Sequence, residues 1–328
     1  MPEKPKLSVY WASSCGGCEI AVVNLHEKLL EVDRNFDFVF CPCLLDTKVA
    51  DVEAMADRSI AVTFFNGAVR TGENEEMARL LRKKSQILIA FGACSVSGAI
   101  PALSNLHTRE SHLRTNFLDS PALENPGQVL PQTRTEVAEG TLELPAFFDT
   151  VKTLAQVVDV DYFVPGCPPE PHQIWSIVEA VIQGAPLPPQ GGTLGAGVST
   201  VCAECSRLKE DKTVSRFYRT WEIIPNTSQC LLEQGLVCMG IATRQGCGAL
   251  CPAVNMPCTG CYGPPEGVHD QGAKMISALG SVMDIGPYKG MTEAEVIAKT
   301  DAVLDSLPDL AGGFYRYSLA GSALRRSR

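Results

Sequence analysis

The residues best equipped for chemistry in this chain are its fourteen cysteines. One constellation is Cys15-Gly-Gly-Cys18 with Cys94 in Gly-Ala-Cys-Ser and Cys167 in Pro-Gly-Cys-Pro-Pro. A second holds Cys202-Ala-Glu-Cys205, Cys230, Cys238, Cys247, Cys251, Cys258 and Cys261, eight residues that divide into two sets of four. Four thiolates suit a cubane iron–sulfur cluster or a tetrahedral zinc ion, and ligand type alone does not separate them. The number of sites favours iron: three four-thiolate sites in series make an electron path, whereas a third zinc has no structural use. The rival reading of the first set is a thioredoxin-like pair at Cys15 and Cys18 with two ordinary buried thiols. It leaves the matching placement of Cys94 and Cys167 unexplained.

That placement depends on the elements around them. From residue 7 to about 183, short apolar runs alternate with amphipathic stretches, the pattern of βα units around a mostly parallel sheet. The expected strands are residues 7–12, 36–41, 60–65, 86–92 and 161–164, with helices over 19–32, 74–84, 145–158 and 172–182. The fold class is therefore α/β, an open, doubly wound parallel sheet. Each of the loops bearing Cys15/Cys18, Cys94 and Cys167 lies just past the C-terminal end of an expected strand, where such sheets place their ligands. Residues 101–144 show no clear period and read as a long insertion, either a partner-binding surface or a loop. The division expected is a 1–190 domain and a 191–328 domain, the latter irregular from 194 to 265 and dependent on bound metal for folding. A last helix is expected over 293–307, with Thr292 and Glu295 spaced as a capping box.

Composition narrows the function. A 45% hydrophobic content suffices for a sizeable core. The formal net charge of -9, with no basic run except Arg325-Arg326-Ser327-Arg328, argues against nucleic-acid binding. The sequence opens without a secretion-signal pattern and has no apolar stretch of bilayer-spanning length, so a cytoplasmic location is expected, where thiols stay reduced and metal ligation is their default use.

The run Cys202-x2-Cys205-x24-Cys230-x7-Cys238-x8-Cys247-x3-Cys251-x6-Cys258-x2-Cys261, with Cys15-Gly-Gly-Cys18-Glu19, Gly92-Ala-Cys94 and Pro165-Gly-Cys167-Pro-Pro, resembles the small subunits of nickel–iron hydrogenases over about residues 7–285. Gly246-Cys-Gly-Ala-Leu-Cys-Pro252, Met256-Pro-Cys-Thr-Gly-Cys261 and Asp270-Gln-Gly-Ala-Lys274 are most similar to the cytoplasmic methyl-viologen-reducing, F-420-non-reducing hydrogenases that feed heterodisulfide reductase. The resemblance implies a flavodoxin-like sheet followed by a smaller cysteine-rich iron–sulfur domain. It implies a proximal 4Fe-4S cluster on Cys15, Cys18, Cys94 and Cys167, a medial one on Cys247, Cys251, Cys258 and Cys261, and a distal one on Cys202, Cys205, Cys230 and Cys238. The nickel–iron centre that splits dihydrogen would sit in a large partner subunit. Electrons would leave toward a small iron–sulfur (delta) subunit and the flavin and iron–sulfur subunits of heterodisulfide reductase.

Two departures matter: Cys202 stands where many periplasmic relatives have histidine, and Cys251 where many have proline, so all three clusters are expected to be four-iron. Gly17 replaces the extra proximal cysteine of oxygen-tolerant relatives. By resemblance Glu19 carries protons out of the active site; its plainer reading is a helix-start carboxylate complementing the macrodipole. Cys41 and Cys43 read as small buried thiols and His172 as a helix-start residue without metal. The alternatives are a zinc-stabilised scaffold and the small subunit of a deazaflavin-reducing hydrogenase, whose ferredoxin-like spacing the Cys230 to Cys251 intervals disfavour. The related proton-pumping quinone oxidoreductase subunit uses adjacent cysteines at its first ligand position and lacks the eight-cysteine extension.

Overall fold

A computed structural model describes residues 3–285 and 290–325. Met1 and Pro2, and Arg326 to Arg328 of the basic C-terminal run, lie outside the described residues. The chain divides into two compact units, residues 1–194 with 319–328, and residues 195–318.

The first unit contains nine strands and seven α-helices among its described residues: β1 (Lys6–Trp11), α1 (Gly17–Val23), α2 (Lys28–Asn35), β2 (Asp37–Phe40), α3 (Val49–Ala54), β3 (Ile60–Asn66), β4 (Val69–Thr71), α4 (Gly72–Lys84), β5 (Ser85–Phe91), α5 (Ala93–Ser97), α6 (Arg109–Phe117), β6 (Arg134–Val137), β7 (Gly140–Glu143), β8 (Phe147–Lys152), β9 (Tyr162–Val164) and α7 (Pro171–Ile182). Five strands form one parallel sheet in the order β2-β1-β3-β5-β9. Counted along the chain this is 2-1-3-4-5, the flavodoxin-like order, with its switch point between β1 and β3. Strands β3 and β5 are near-continuous apolar runs because both faces are covered. The two-residue period splits them: Leu7, Val9, Val62, Phe64, Ile89 and Phe91 face α1, α2 and α7, whereas Tyr10, Phe65, Leu88 and Ala90 face α3 and α4.

Three expectations require correction. The helix expected over 19–32 is two helices, because Leu25 to Glu27 form a turn in which His26 takes φ 53°. The helix expected over 145–158 is instead β8, paired antiparallel with β4, and a 3-10 turn at Leu154–Gln156. Its Thr150, Val151 and Thr153 are β-branched and pack better on a pleated surface than on a helix. The 101–144 stretch is not structureless: a 3-10 segment at Ile100–Leu106 leads into α6 and then the β6–β7 hairpin, both of whose strands are exposed.

The second unit has little regular structure before its C-terminal half. Short 3-10 turns at Val201–Ala203, Leu232–Gln234 and Met239–Ala242 precede α8 (Leu250–Ala253), α9 (Gln271–Val282), α10 (Glu293–Asp305) and α11 (Leu310–Tyr315). Helix α10 starts where expected, its Thr292 amide donating to Glu295 Oε2 at 2.7 Å. Helix α9, capped by the Asp270 carboxylate, had no counterpart in the sequence reading. The core is formed by Val201, Phe217, Leu231, Leu236, Met239, Tyr262, Met275, Leu279 and Val303. Among the described residues no helix is long and apolar enough to cross a membrane.

Candidate metal centres

The first constellation assembles at the C-terminal end of the parallel sheet. Cys15 sits in the turn after β1 and Cys18 in the first turn of α1. Cys94 opens α5 after β5, and Cys167 follows β9. Backbone bonds hold these loops together: Gly92 N–H donates to Val164 O (2.8 Å), Ala93 N–H to Gly166 O (2.7 Å) and Ala12 N–H to Asn66 O (2.8 Å). Gly92 cannot carry a side chain, because its φ is +83° and a Cβ there would overlap Cys18 Sγ. Burial raises the thiols of Cys18, Cys94 and Cys167, and neighbouring cysteines push the same way: Cys94, Cys167 and Cys15 act on Cys18, and Cys167 and Cys15 on Cys94, which reaches about 12. Thiols drawn together with two of them buried are favoured as thiolates when a cation sits among them, which fits a metal centre.

In the second unit Cys202, Cys205, Cys230 and Cys238 line a cavity of about 140 Å³ with Arg207, Lys209, Leu231 and Gly240. Cys202 lies exposed at its rim. The Cys202 and Cys238 thiols are both raised, by burial first and then by the other cysteines of the set. The remaining four lie on the Cys247–Cys251 segment that winds into α8 and on the Cys258–Cys261 loop. Cys247 is raised by burial, Glu204 and Cys251, against amide donation from Ala249 and Leu250; Cys258 is raised by burial, Cys238 and Cys261. The two sets adjoin. Cys258 N–H donates to Cys238 Sγ at 3.3 Å, and a Cβ on Gly240 would lie 3.4 Å from Cys202 Sγ.

Among the described residues, no three of His, Cys, Asp and Glu close to the separation a single metal ion needs. A cubane is a larger body than an ion, and its four ligands stand correspondingly farther apart.

Glu19 reaches into the first site rather than into solvent. Its Oε1 accepts from Asn66 Nδ2 at 2.6 Å, while its Oε2 is buried with no hydrogen-bond partner among the described residues. Asn66, at the end of β3, also donates to Ser14 Oγ at 3.0 Å. Cys41 is buried as expected, its sulfur accepting from the amides of Cys43 and Leu44, but Cys43, expected to be buried too, is exposed in the turn that follows β2; the Glu19 carboxylate raises both thiols in addition to burial. His172 is exposed in the first turn of α7.

Three residues with parts in these sites had no role in the sequence reading. Asn66 gave no signal beyond ending a strand. Glu204 sits inside a Cys-x-x-Cys motif, and its Oε2 accepts from Gly246 N–H (3.0 Å) and Gly248 N–H (3.1 Å). Arg207, two residues past Cys205, donates to Pro252 O, Asn226 O, Gln229 O and Asn255 Oδ1 at 2.7–3.0 Å and so fastens three loops together.

The family model described as NADH ubiquinone oxidoreductase, 20 Kd subunit, matches residues 15–181. The iron-sulfur subunit of the F420-non-reducing hydrogenase of Archaeoglobus profundus is 40% identical over 327 residues, covering 98% of each chain. The corresponding subunit of the Methanothermobacter marburgensis F420-non-reducing hydrogenase is 35% identical, covering 99% of this chain and 97% of the relative. Among solved structures, the reduced, active Ni-Fe-Se hydrogenase of Desulfomicrobium baculatum shares the fold with a TM-score of 0.50 at 18% identity, over 81% of this chain and 96% of that one.

Proposed function

The chain belongs to the NADH ubiquinone oxidoreductase 20 Kd subunit family and, within it, to the iron–sulfur subunits of F420-non-reducing hydrogenases, and on that premise we propose that its twelve constellation cysteines hold three 4Fe-4S clusters. As a nickel–iron hydrogenase small subunit it serves electron transfer, and the dihydrogen-splitting site belongs to a large partner subunit. Cys15, Cys18, Cys94 and Cys167 would hold the proximal cluster in the first unit. Cys247, Cys251, Cys258 and Cys261 would hold the medial cluster and Cys202, Cys205, Cys230 and Cys238 the distal one in the second. When bound, such clusters supply one-electron transfer at potentials set by ligation, hydrogen bonding and burial.

The observation that carries this reading is the convergence of Cys15, Cys18, Cys94 and Cys167 from three βα loops at the carboxyl end of the sheet, with Cys18 and Cys94 buried, Cys167 partly buried and Cys15 exposed. The chain's own residues bury Cys18 and Cys94, keep side chains away from Cys18 Sγ at Gly92, and place the buried Glu19 oxygen near them. Glu19 is the residue proposed to hold and pass a proton between the partner's active site and solvent. The eight-cysteine extension falls outside the matched residues 15–181, which is why that family model alone does not separate a hydrogenase from its quinone-linked relatives.

The downstream acceptor is proposed to be a small iron–sulfur subunit delivering to heterodisulfide reductase in the cytoplasm. The complex purified anaerobically with its nickel-bearing partner should lose visible absorbance under dihydrogen and recover it on adding an oxidised acceptor. A nickel-loaded complex whose spectrum dihydrogen leaves unchanged would contradict the assignment.

A further inference from the structure

Glu204 belongs by sequence to one cysteine set and by contact to the other. It precedes Cys205, yet a single oxygen of its carboxylate accepts both the Gly246 and Gly248 amides, the two peptide N–H groups flanking Cys247. The sulfur of Cys247 takes its own donors from Ala249 and Leu250. Four amides of one short loop are thus shared between a carboxylate and a thiol. Among the described residues no lysine, arginine or histidine forms an ion pair with Glu204: nearby Arg207 is bound to carbonyls and Asn255, and Arg244 to Gly197 O, Pro264 O and Glu266. Within the protein, the half-buried carboxylate is therefore met by peptide N–H groups and by no cationic side chain among the described residues.

We propose that Glu204 is a positioning residue that fixes the Cys247 loop and, through its charge, lowers the reduction potential of the cluster held by Cys247, Cys251, Cys258 and Cys261. Amides that donate to a cluster's sulfurs stabilise its reduced, more negative state and raise its potential; a carboxylate that claims such amides and adds a charge works in the opposite sense. The geometry also places this control inside the neighbouring ligand motif, so that the Cys202–Cys205 segment cannot shift without disturbing the Cys247 loop. The inference rests on the three-cluster reading.

The test is an anaerobic redox titration followed by electron paramagnetic resonance on the holo-complex, with iron and sulfide counted for wild type, Glu204→Gln and Glu204→Asp. The medial signal is identified as the one altered in Cys251→Ser. Glu204→Gln is expected to keep its iron and move the medial midpoint to a more positive value, with a smaller change at the distal signal, while Glu204→Asp stays near wild type. Loss of medial iron in Glu204→Gln with full iron and a wild-type midpoint in Glu204→Asp equally supports a required carboxylate. An unmoved medial midpoint in an iron-replete Glu204→Gln variant overturns the proposal, as does an Asp variant displaced as far as the Gln one. Wild-type protein without reducible clusters would show itself before any substitution and would sink the cluster reading beneath it.

Discussion

Replacing Gly92 with alanine should strip the first unit of its proposed cluster and weaken its fold by an amount that can be worked out. Gly92 holds φ +83° and ψ 157°, a region used almost only by glycine, and an L-residue forced there costs about 1–3 kcal/mol. The added methyl would also overlap Cys18 Sγ, which is buried in the first turn of α1, and overpacking of this kind costs about 1–3 kcal/mol. The sum, roughly 2–6 kcal/mol, is a large share of the roughly 5–15 kcal/mol that holds a typical protein folded. For a unit of this size each kcal/mol is worth about 2–4 °C, so a drop on the order of 10 °C in Tm is expected. Gly184 is the reference: it has φ +65° but open space around its would-be Cβ, so Gly184→Ala reports what an alanine at positive φ costs without a clash. The assay is thermal melting with iron counted on the same preparations. A Gly92→Ala protein that keeps its full iron and melts no lower than Gly184→Ala would refute the claim that the Cys18 sulfur needs that space.

Arg207→Leu should destabilise the second unit by about 1–3 kcal/mol in guanidinium titrations, because the Pro252 and Gln229 carbonyls and the Asn255 side chain, all in part-buried bonds, lose a donor while the exposed Asn226 carbonyl turns to water. Arg207→Lys should recover less than half, since an ammonium cannot fork across separate loops; a Lys variant equal to wild type would refute this. Tyr10 is pushed up to about 12, by burial first and the nearby Glu73 carboxylate second, with the Asn74 hydrogen bond opposing. A raised folded-state value means its contribution is fully present below the unfolded phenol's value near 10 and is lost as pH rises through about 12. Melting temperature should therefore fall more steeply across that alkaline window in wild type than in Tyr10→Phe, and parallel curves would contradict the assignment.

The parallel sheet and the positions of Cys15, Cys18, Cys94 and Cys167 at its carboxyl edge were legible because buried strands announce themselves as apolar runs and the cysteines sit just beyond them. The break at His26 was not, since the apolar spacing of α1 and α2 continues across the turn. Strand β8 looked helical because Phe147, Phe148, Val151 and Leu154 also satisfy a three- and four-residue period, and only its pairing with β4 decides between the two. In the second unit the cysteine spacings pointed to metal, but the groups that shape the loops are polar side chains bonded to distant backbone. Arg207 reaches Pro252 O across 45 positions and Glu204 reaches Gly246 N across 42, contacts no local pattern encodes. Helix α9 escaped notice because its motif, Asp270-Gln-Gly-Ala-Lys274, opens with a glycine-bearing turn that reads as loop until the Asp270 cap is seen.

The central claim is that twelve of the fourteen cysteines carry three four-iron clusters, and counting iron, acid-labile sulfide and zinc per chain on anaerobically purified protein tests it most directly. Three cubanes require about twelve iron and twelve sulfide with no stoichiometric zinc. About two or three zinc with little iron would contradict the account and leave a zinc-stabilised scaffold in its place.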